Sequence, residues 1–270
     1  MKNYEDVGEL KSDIQAFSSG EMEDREAARD AVSDLVSLLE SGEVRSAEKN
    51  DDGEWKANRW VKEGILLAFK VSDLEEFGDY KDKDLLPPQD TSSLDGVRVV
   101  PEGTAIRGGS HLEGNNIIMP PTYVNVGTYV GEGTMLDSHS LVGSCAQVGK
   151  DAHISGEIGG VLEPPNASPC IVEDEAFMGM YSSISESTVL REGAVLAPGV
   201  HITGGTRVYD RVNDNEITSE EKGYVEIPEN AVLVPGSREI GNGYSIDSPI
   251  IAKYKDESTG ASTALEEALR

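Results

Sequence analysis

From residue 100 onward an aliphatic side chain recurs at every sixth position: Val100, Ile106, Leu112, Ile118, Val124, Val130, Leu136, Val142, Val148 and Ile154. The beat resumes as Val172, Met178, Ile184, Leu190, Leu196, Ile202 and Val208. An α-helix repeats near 3.6 residues and a strand at 2, so neither produces a beat of six sustained over this length. Four places after most beats stands a small or short residue, Thr104, Ser110, Thr128, Thr134, Ser140, Ala146, Ala152, Ala176, Ser182 and Thr188 among them. A left-handed parallel β-helix satisfies both regularities. Its three flat faces each take one hexapeptide per coil, the aliphatic residue points inward, and the small residue fits the corner. Eighteen residues separate Ile154 from Val172, three whole units, so the pattern predicts that phase is kept through "SGEIGGVLEPPNASPC".

The flanks divide the chain. Leu10, Ile14 and Phe17, then Ala28, Val32, Leu35, Val36 and Leu39, follow helical steps, with Gly20 and Gly42 as stops. "EVRSAEKNDDGEWKANRW" centres on Asn-Asp-Asp-Gly and predicts a hairpin; "RWVKEGILLAFKV" returns to helix, and "LLPPQDTSS" closes the region. This gives an N-terminal α-rich domain at 1–95 and a β-helix domain at 96–238 with a loop insertion at 209–226. A C-terminal strand/helix segment at 239–270 is expected to cap the open end.

The 270 residues carry 50 acids against 23 Lys and Arg, a net charge of −27, which repels nucleic acid and anionic membranes. The acids are spread along the chain rather than gathered in one tail, a solvation pattern expected of a salt-rich cytoplasm, where screening limits self-repulsion. No apolar run approaches a membrane span and the first residues lack the apolar core of a secretory signal, so a cytoplasmic protein is expected. Cys145 and Cys170 show neither CxxC spacing nor neighbouring histidines. They read as small buried fillers.

Function has to come from residues that break the repeat, because the fold alone specifies no reaction. Asp137 stands where Gly131, Gly143 and Gly149 stand in neighbouring units, and His139 follows two residues later, on the same side of an extended chain. A carboxylate there can orient or deprotonate an attacking amine; a solvated corner aspartate is the competing reading. In "GEIGGVLEPP", Gly159 and Gly160 let backbone approach a ligand and offer N–H groups to a thioester carbonyl or a phosphate. A plain connector is the alternative. Arg207 and Arg211 in "TRVYDR", with Lys253 and Lys255 later, are cations kept in an acidic chain and suit a phosphate-bearing cosubstrate; for these, a local ion pair with Asp210 is the alternative. His111, His139, His153 and His201 lack the spacing of a zinc site, so no metal is expected.

"RVVPEGTAIRGGSHL", "MPPTYVNVGTYVGEGTMLDSHSLVGSCAQVGKDAHISG", "GGVLEPPNASPCIVEDEAFMG" and "TRVYDR", with the N-terminal "SGEVRSAEKNDDGEWKANRWVKEGILLAFK", closely resemble the tetrahydrodipicolinate N-succinyltransferases of the diaminopimelate route to lysine. The resemblance runs through nearly the whole chain. It implies a homotrimer with active sites between neighbouring subunits. It also implies succinyl-CoA as the acyl-donor cosubstrate, no permanently bound cofactor, and tetrahydrodipicolinate as acceptor, giving N-succinyl-2-amino-6-oxopimelate and CoA. Arg98 looks like the family's substrate-binding arginine and Asp137 like its substrate-binding and catalytic aspartate. Gly159, Gly160, Arg207 and Lys253 are the candidates for contact with CoA. There are departures: His139 stands where familiar members have tryptophan, "GEIGGVLEP" is shorter than their "GGVGIGGVLEP", and Ser183 replaces a glutamate, with Glu186 three positions on. A related CoA-dependent N-acyltransferase with another donor or amine, and a non-catalytic trimeric scaffold, are the alternatives.

Overall fold

The computed structural model of the chain describes residues 4, 6–162, 168–256 and 260–261. Three helices open it. In α1 (Val7–Ser19) and α2 (Arg25–Ser41) the side chains of Asp6 and Asp24 accept first-turn N–H groups, and Gly20 and Gly42 end the helices at φ 83° and 80°. These are the residues that free helix ends call for. Against them packs α3 (Arg59–Val71), and a Cβ on Gly64 would lie 2.3 Å from Leu35 Cδ2, so glycine lets the helices approach without displacing the Leu35 side chain. The apolar stripes Leu10, Ile14, Phe17, Val32, Leu35, Ile65 and Ala68 meet in one core. The expected hairpin is present as Ala47–Lys49 paired antiparallel with Trp55–Ala57.

The rest is mainly β. Short parallel strands stack into a ten-stranded sheet and two six-stranded sheets, with one strand of each sheet per coil. Leu112, Val130, Val148, Val172, Leu190 and Ile227 follow one sheet, Ile118, Leu136, Ile154, Met178, Leu196 and Leu233 the ten-stranded one, and Ile106, Val124, Val142, Ile158, Ile184 and Ile202 the third. All these side chains are buried in a single core. At the corners Ser140, Ser182 and Thr188 donate their hydroxyls to carbonyls three residues earlier at 2.6–2.7 Å, so the small residue satisfies its own burial. Corners also use left-handed backbone at six-residue intervals, at Gly127, Gly133, His139, Cys145 and Asp151.

Three expectations change. The first inward residue is Val99, aligned with Ile118, and not Val100, because the strand Arg98–Val99 lies nineteen residues before its partner. Phase is not kept between Ile154 and Val172. Ile158 supplies an inward side chain after only four residues and Val172 the next, on the following sheet, so eighteen residues make two face steps and not three. Residues 209–226 hold more than a loop: Val208–Asp210 and Asn215–Ile217 form an antiparallel hairpin that widens the ten-stranded sheet. After a hairpin of Ser237–Gly241 and Tyr244–Asp247, the strand Ile250–Tyr254 joins that same sheet. Of the expected terminal helix only Ala261 falls within the described residues.

Candidate active site

Asp137 follows Met135–Leu136 at the corner that leaves the ten-stranded sheet. Glycine is required at the matching corner of the next unit, where a Cβ on Gly143 would sit 2.3 Å from the Gly160 nitrogen. Above Asp137 the next coil carries Ser155 instead, whose hydroxyl donates to Asp137 Oδ2 at 3.3 Å, and a side chain fits. The carboxylate is held from two sides. Oδ1 accepts the Ser138 N–H at 2.8 Å, while Oδ2 faces His153 Nε2 at 3.5 Å, and that ring nitrogen lies 3.1 Å from Ser155 Oγ. The His153 ring rests against Phe177, centroids 5.1 Å apart. Asp137 and His153 side chains are each 38% exposed, so the pair is fixed by the coil yet open to a reactant. An oriented carboxylate beside an imidazole can take a proton from an attacking nucleophile and pass it on.

His139 does not join this group. Its φ of 69° turns the chain at the corner, its N–H donates to Pro121 O, and its side chain is exposed; the extended chain that would have placed it beside Asp137 is absent. Arg98 does share the face. Arg98, Ile117, Met135 and His153 are successive Cα partners across the ten-stranded sheet, so the exposed Arg98 stands two rungs of about 4.8 Å from Met135 along the sheet. It also lines an open cavity of 540 Å³ at the sheet's first edge. Further along the row come Phe177, Val195, Val232 and Lys253.

The glycines divide. Gly159 donates its N–H to Ile184 O at 2.8 Å, so that donor is spent on the coil and cannot serve an oxyanion. A Cβ on Gly160 would meet Ser144 Oγ at 2.6 Å, which makes close coil packing the reason for glycine there. Arg207 is 2.8 Å from Glu216 and 3.8 Å from Glu220, an ion pair with the inserted hairpin and not with Asp210. Asp210 is buried and takes hydrogen bonds from Tyr254 and Asn213. Ser183 Oγ lies 2.8 Å from His201 Nδ1 on the third sheet, with Glu157 as its Cα partner on the other side, and Glu186 is turned away to accept the Gly204 N–H. Among the described residues no cluster of His, Cys, Asp and Glu is arranged to hold a metal ion.

The chain is 44% identical over 262 residues to the 2,3,4,5-tetrahydropyridine-2,6-dicarboxylate N-succinyltransferase of Aromatoleum aromaticum, covering 90% of each protein. It belongs to the tetrahydrodipicolinate N-succinyltransferase family. The enzymes of the same name from Polynucleobacter asymbioticus, 42% identical, and Nitrosomonas eutropha, 45% identical, match over 90% of this chain and 90% and 89% of theirs. The family model for the tetrahydrodipicolinate N-succinyltransferase N-terminal region matches residues 9–71. In this member of the tetrahydrodipicolinate N-succinyltransferases, His153 and Ser155 are the neighbours of Asp137 that a six-residue reading passes over. They stand one coil, eighteen residues, after Met135 and Asp137, and reading the sequence at that longer interval brings all four together.

Proposed function

We propose that the protein transfers a succinyl group from succinyl-CoA to the amine that tetrahydrodipicolinate yields when its imine is hydrated and its ring opened. The observation that carries this reading is full-length kinship with enzymes of that name; the setting of Asp137 beside His153, on the face that also bears Arg98, supports it. In this scheme Arg98 holds a substrate carboxylate through its planar fork. Asp137 orients the amine and takes its proton as nitrogen attacks the thioester carbonyl, with His153 positioned to share that proton. The C–N bond forms, the C–S bond breaks, and the proton ends on the CoA thiolate. Lys253, at the far end of the row, and Gly160 are assigned to contact with CoA; Arg207 joins them only by leaving Glu216.

The same reading takes the coil as a left-handed parallel β-helix, divided from its neighbours near residues 95 and 238. It takes the assembly as a homotrimer with no permanent cofactor, working in the cytoplasm. No helix among the described residues is long and apolar enough to cross a membrane. Release of free thiol, measured with succinyl-CoA and with acetyl-CoA in the presence of tetrahydrodipicolinate, tests the donor. Turnover with succinyl-CoA is expected, and a preference for acetyl-CoA overturns the assignment.

The charge of −27 gives a second expected result. At molar salt the screening length falls to about 3 Å, which removes most self-repulsion among surface acids. Melting temperature and activity are therefore expected to rise from dilute buffer to molar salt. A protein most stable in dilute buffer would contradict the reading of a salt-rich cytoplasm.

A further inference from the structure

A cavity of 350 Å³ opens between the N-terminal hairpin and the outer face of the sheet that carries Tyr129 and Val148. It is lined by Arg45, Lys49 and Lys150, by the aromatic rings of Trp55 and Tyr129, and by the acids Glu48, Glu173, Asp174 and Glu192. Three cations around one space stand out in a chain with so few, and Arg45 is the unusual one. Its guanidinium carbon lies 3.6 Å from the Tyr129 ring centroid and its Nε donates to Gln147 Oε1 at 2.9 Å. Among the described residues no carboxylate lies within ion-pair distance of it and no hydrogen bond is made by its two terminal nitrogens. Lys49, by contrast, is paired with Glu173 at 3.0 Å.

A partly buried guanidinium without a carboxylate partner is costly unless something completes it. Burial lowers the proton affinity of Arg45, with Tyr129, Glu48, Glu113 and Asp174 opposing at longer range. The phenol under it stays neutral: burial, then the hydrogen bond to Glu113, pushes Tyr129 up to about 12. Ring stacking and the Nε bond fix the guanidinium plane and leave the edge bearing Nη1 and Nη2 for a two-oxygen acceptor, the arrangement that best receives a carboxylate. The acids of the lining work against a dianion such as phosphate. They favour a ligand that brings a positive group together with its carboxylate.

We propose that this cavity binds a small α-amino acid, its carboxylate on the Arg45 fork, its ammonium toward Glu48, Asp174 and Glu192, and its side chain along Trp55. The site is separate from Asp137 and His153, which belong to the ten-stranded sheet, and it stands whether or not succinyl transfer is confirmed.

The chain has two tryptophans, so Trp60→Phe leaves Trp55 as the sole indole and makes its emission a local reporter. Titration of that protein with L-norleucine is expected to change Trp55 emission saturably. Hexanoate and hexylamine, each carrying one of the two charges, should bind at least about tenfold more weakly, as should norleucine to an added Arg45→Lys substitution, which keeps charge but loses the fork. Arg98→Gln should bind norleucine unchanged. No saturable signal, equal binding by Arg45→Lys, or tighter binding of inorganic phosphate overturns the proposal. Should Arg45→Lys fail to fold, the hexanoate and hexylamine arms on the Arg45 protein decide, and equal binding of all three ligands overturns it.

Discussion

Asp137→Asn is expected to lower turnover by about 10²- to 10⁴-fold, the range for loss of a positioned acid–base group. The substitution is close to isosteric. The amide oxygen can keep the Ser138 N–H that Oδ1 now accepts, and Ser155 still has a polar partner, so the corner keeps its shape. What disappears is the negative charge that orients the amine and receives its proton. The measurement is turnover at saturating succinyl-CoA and tetrahydrodipicolinate, with melting temperature and solution mass taken alongside. A fall in turnover with both physical properties unchanged supports the assigned role. Turnover within about threefold of the parent would sink it and favour a scaffold. His153→Gln should cost less than Asp137→Asn, because at 3.5 Å from Oδ2 the imidazole supports the carboxylate and does not replace it.

Glu173→Gln is expected to destabilise the fold by about 3 kcal/mol at neutral pH, the low end for breaking a buried ion pair, since Lys49 keeps part of its hydration. Glu173 is only 6% exposed and ties the N-terminal region to the coil: Trp55 Nε1 donates to it at 2.8 Å, and Lys49 and Arg191 approach at 3.0 and 2.9 Å. Burial pushes its carboxyl up, but the bonds from Trp55 and Lys49 and the charge of Arg191 prevail and leave it below the ordinary value. A carboxyl depressed in the folded state contributes its full stability above the unfolded value and loses it as pH falls through the folded one. The gap between parent and Glu173→Gln should thus be full at pH 7 and close progressively below about pH 4. Denaturant melts across that range, at fixed salt, are the check. A gap independent of pH would show that packing, and not the ion pair, sets the contribution.

Most of the coil was legible because its interior admits one aliphatic residue per face, and that rule writes itself on the sequence at six-residue intervals. The exceptions are equally physical. Nothing in a count of six announces that Ile158 closes a face after four residues, since the short step is paid for by a longer one before Val172 and the total still divides by six. Asp137 was visible as an intruder in a small-residue slot, whereas His153 and Ser155 were not, because each occupies an outward or corner position that tolerates any polar residue. Only stacking of coils makes them neighbours. The extended-chain inference for His139 failed at a corner whose left-handed backbone the repeat requires. Arg45 left no local signal at all, being defined by Tyr129 and Gln147 from a remote part of the chain.

The short step at Ile158 also fixes how this molecule can change length. Each face step turns the chain by a third of a revolution, so six residues inserted into an ordinary coil would rotate every later side chain onto the wrong side. Counting by sixes through the 154–172 interval makes that error on paper: it indexes Ser183 with the Tyr129 sheet, when the chain delivers it, with His201, to the sheet of Leu141 and Glu157. Val172 follows Ile158 by fourteen positions where an ordinary face step takes six. The one length difference from the family's "GGVGIGGVLEP" falls just before Ile158, in the four-residue step itself, which still delivers the chain to the sheet of Val142 and Ile184.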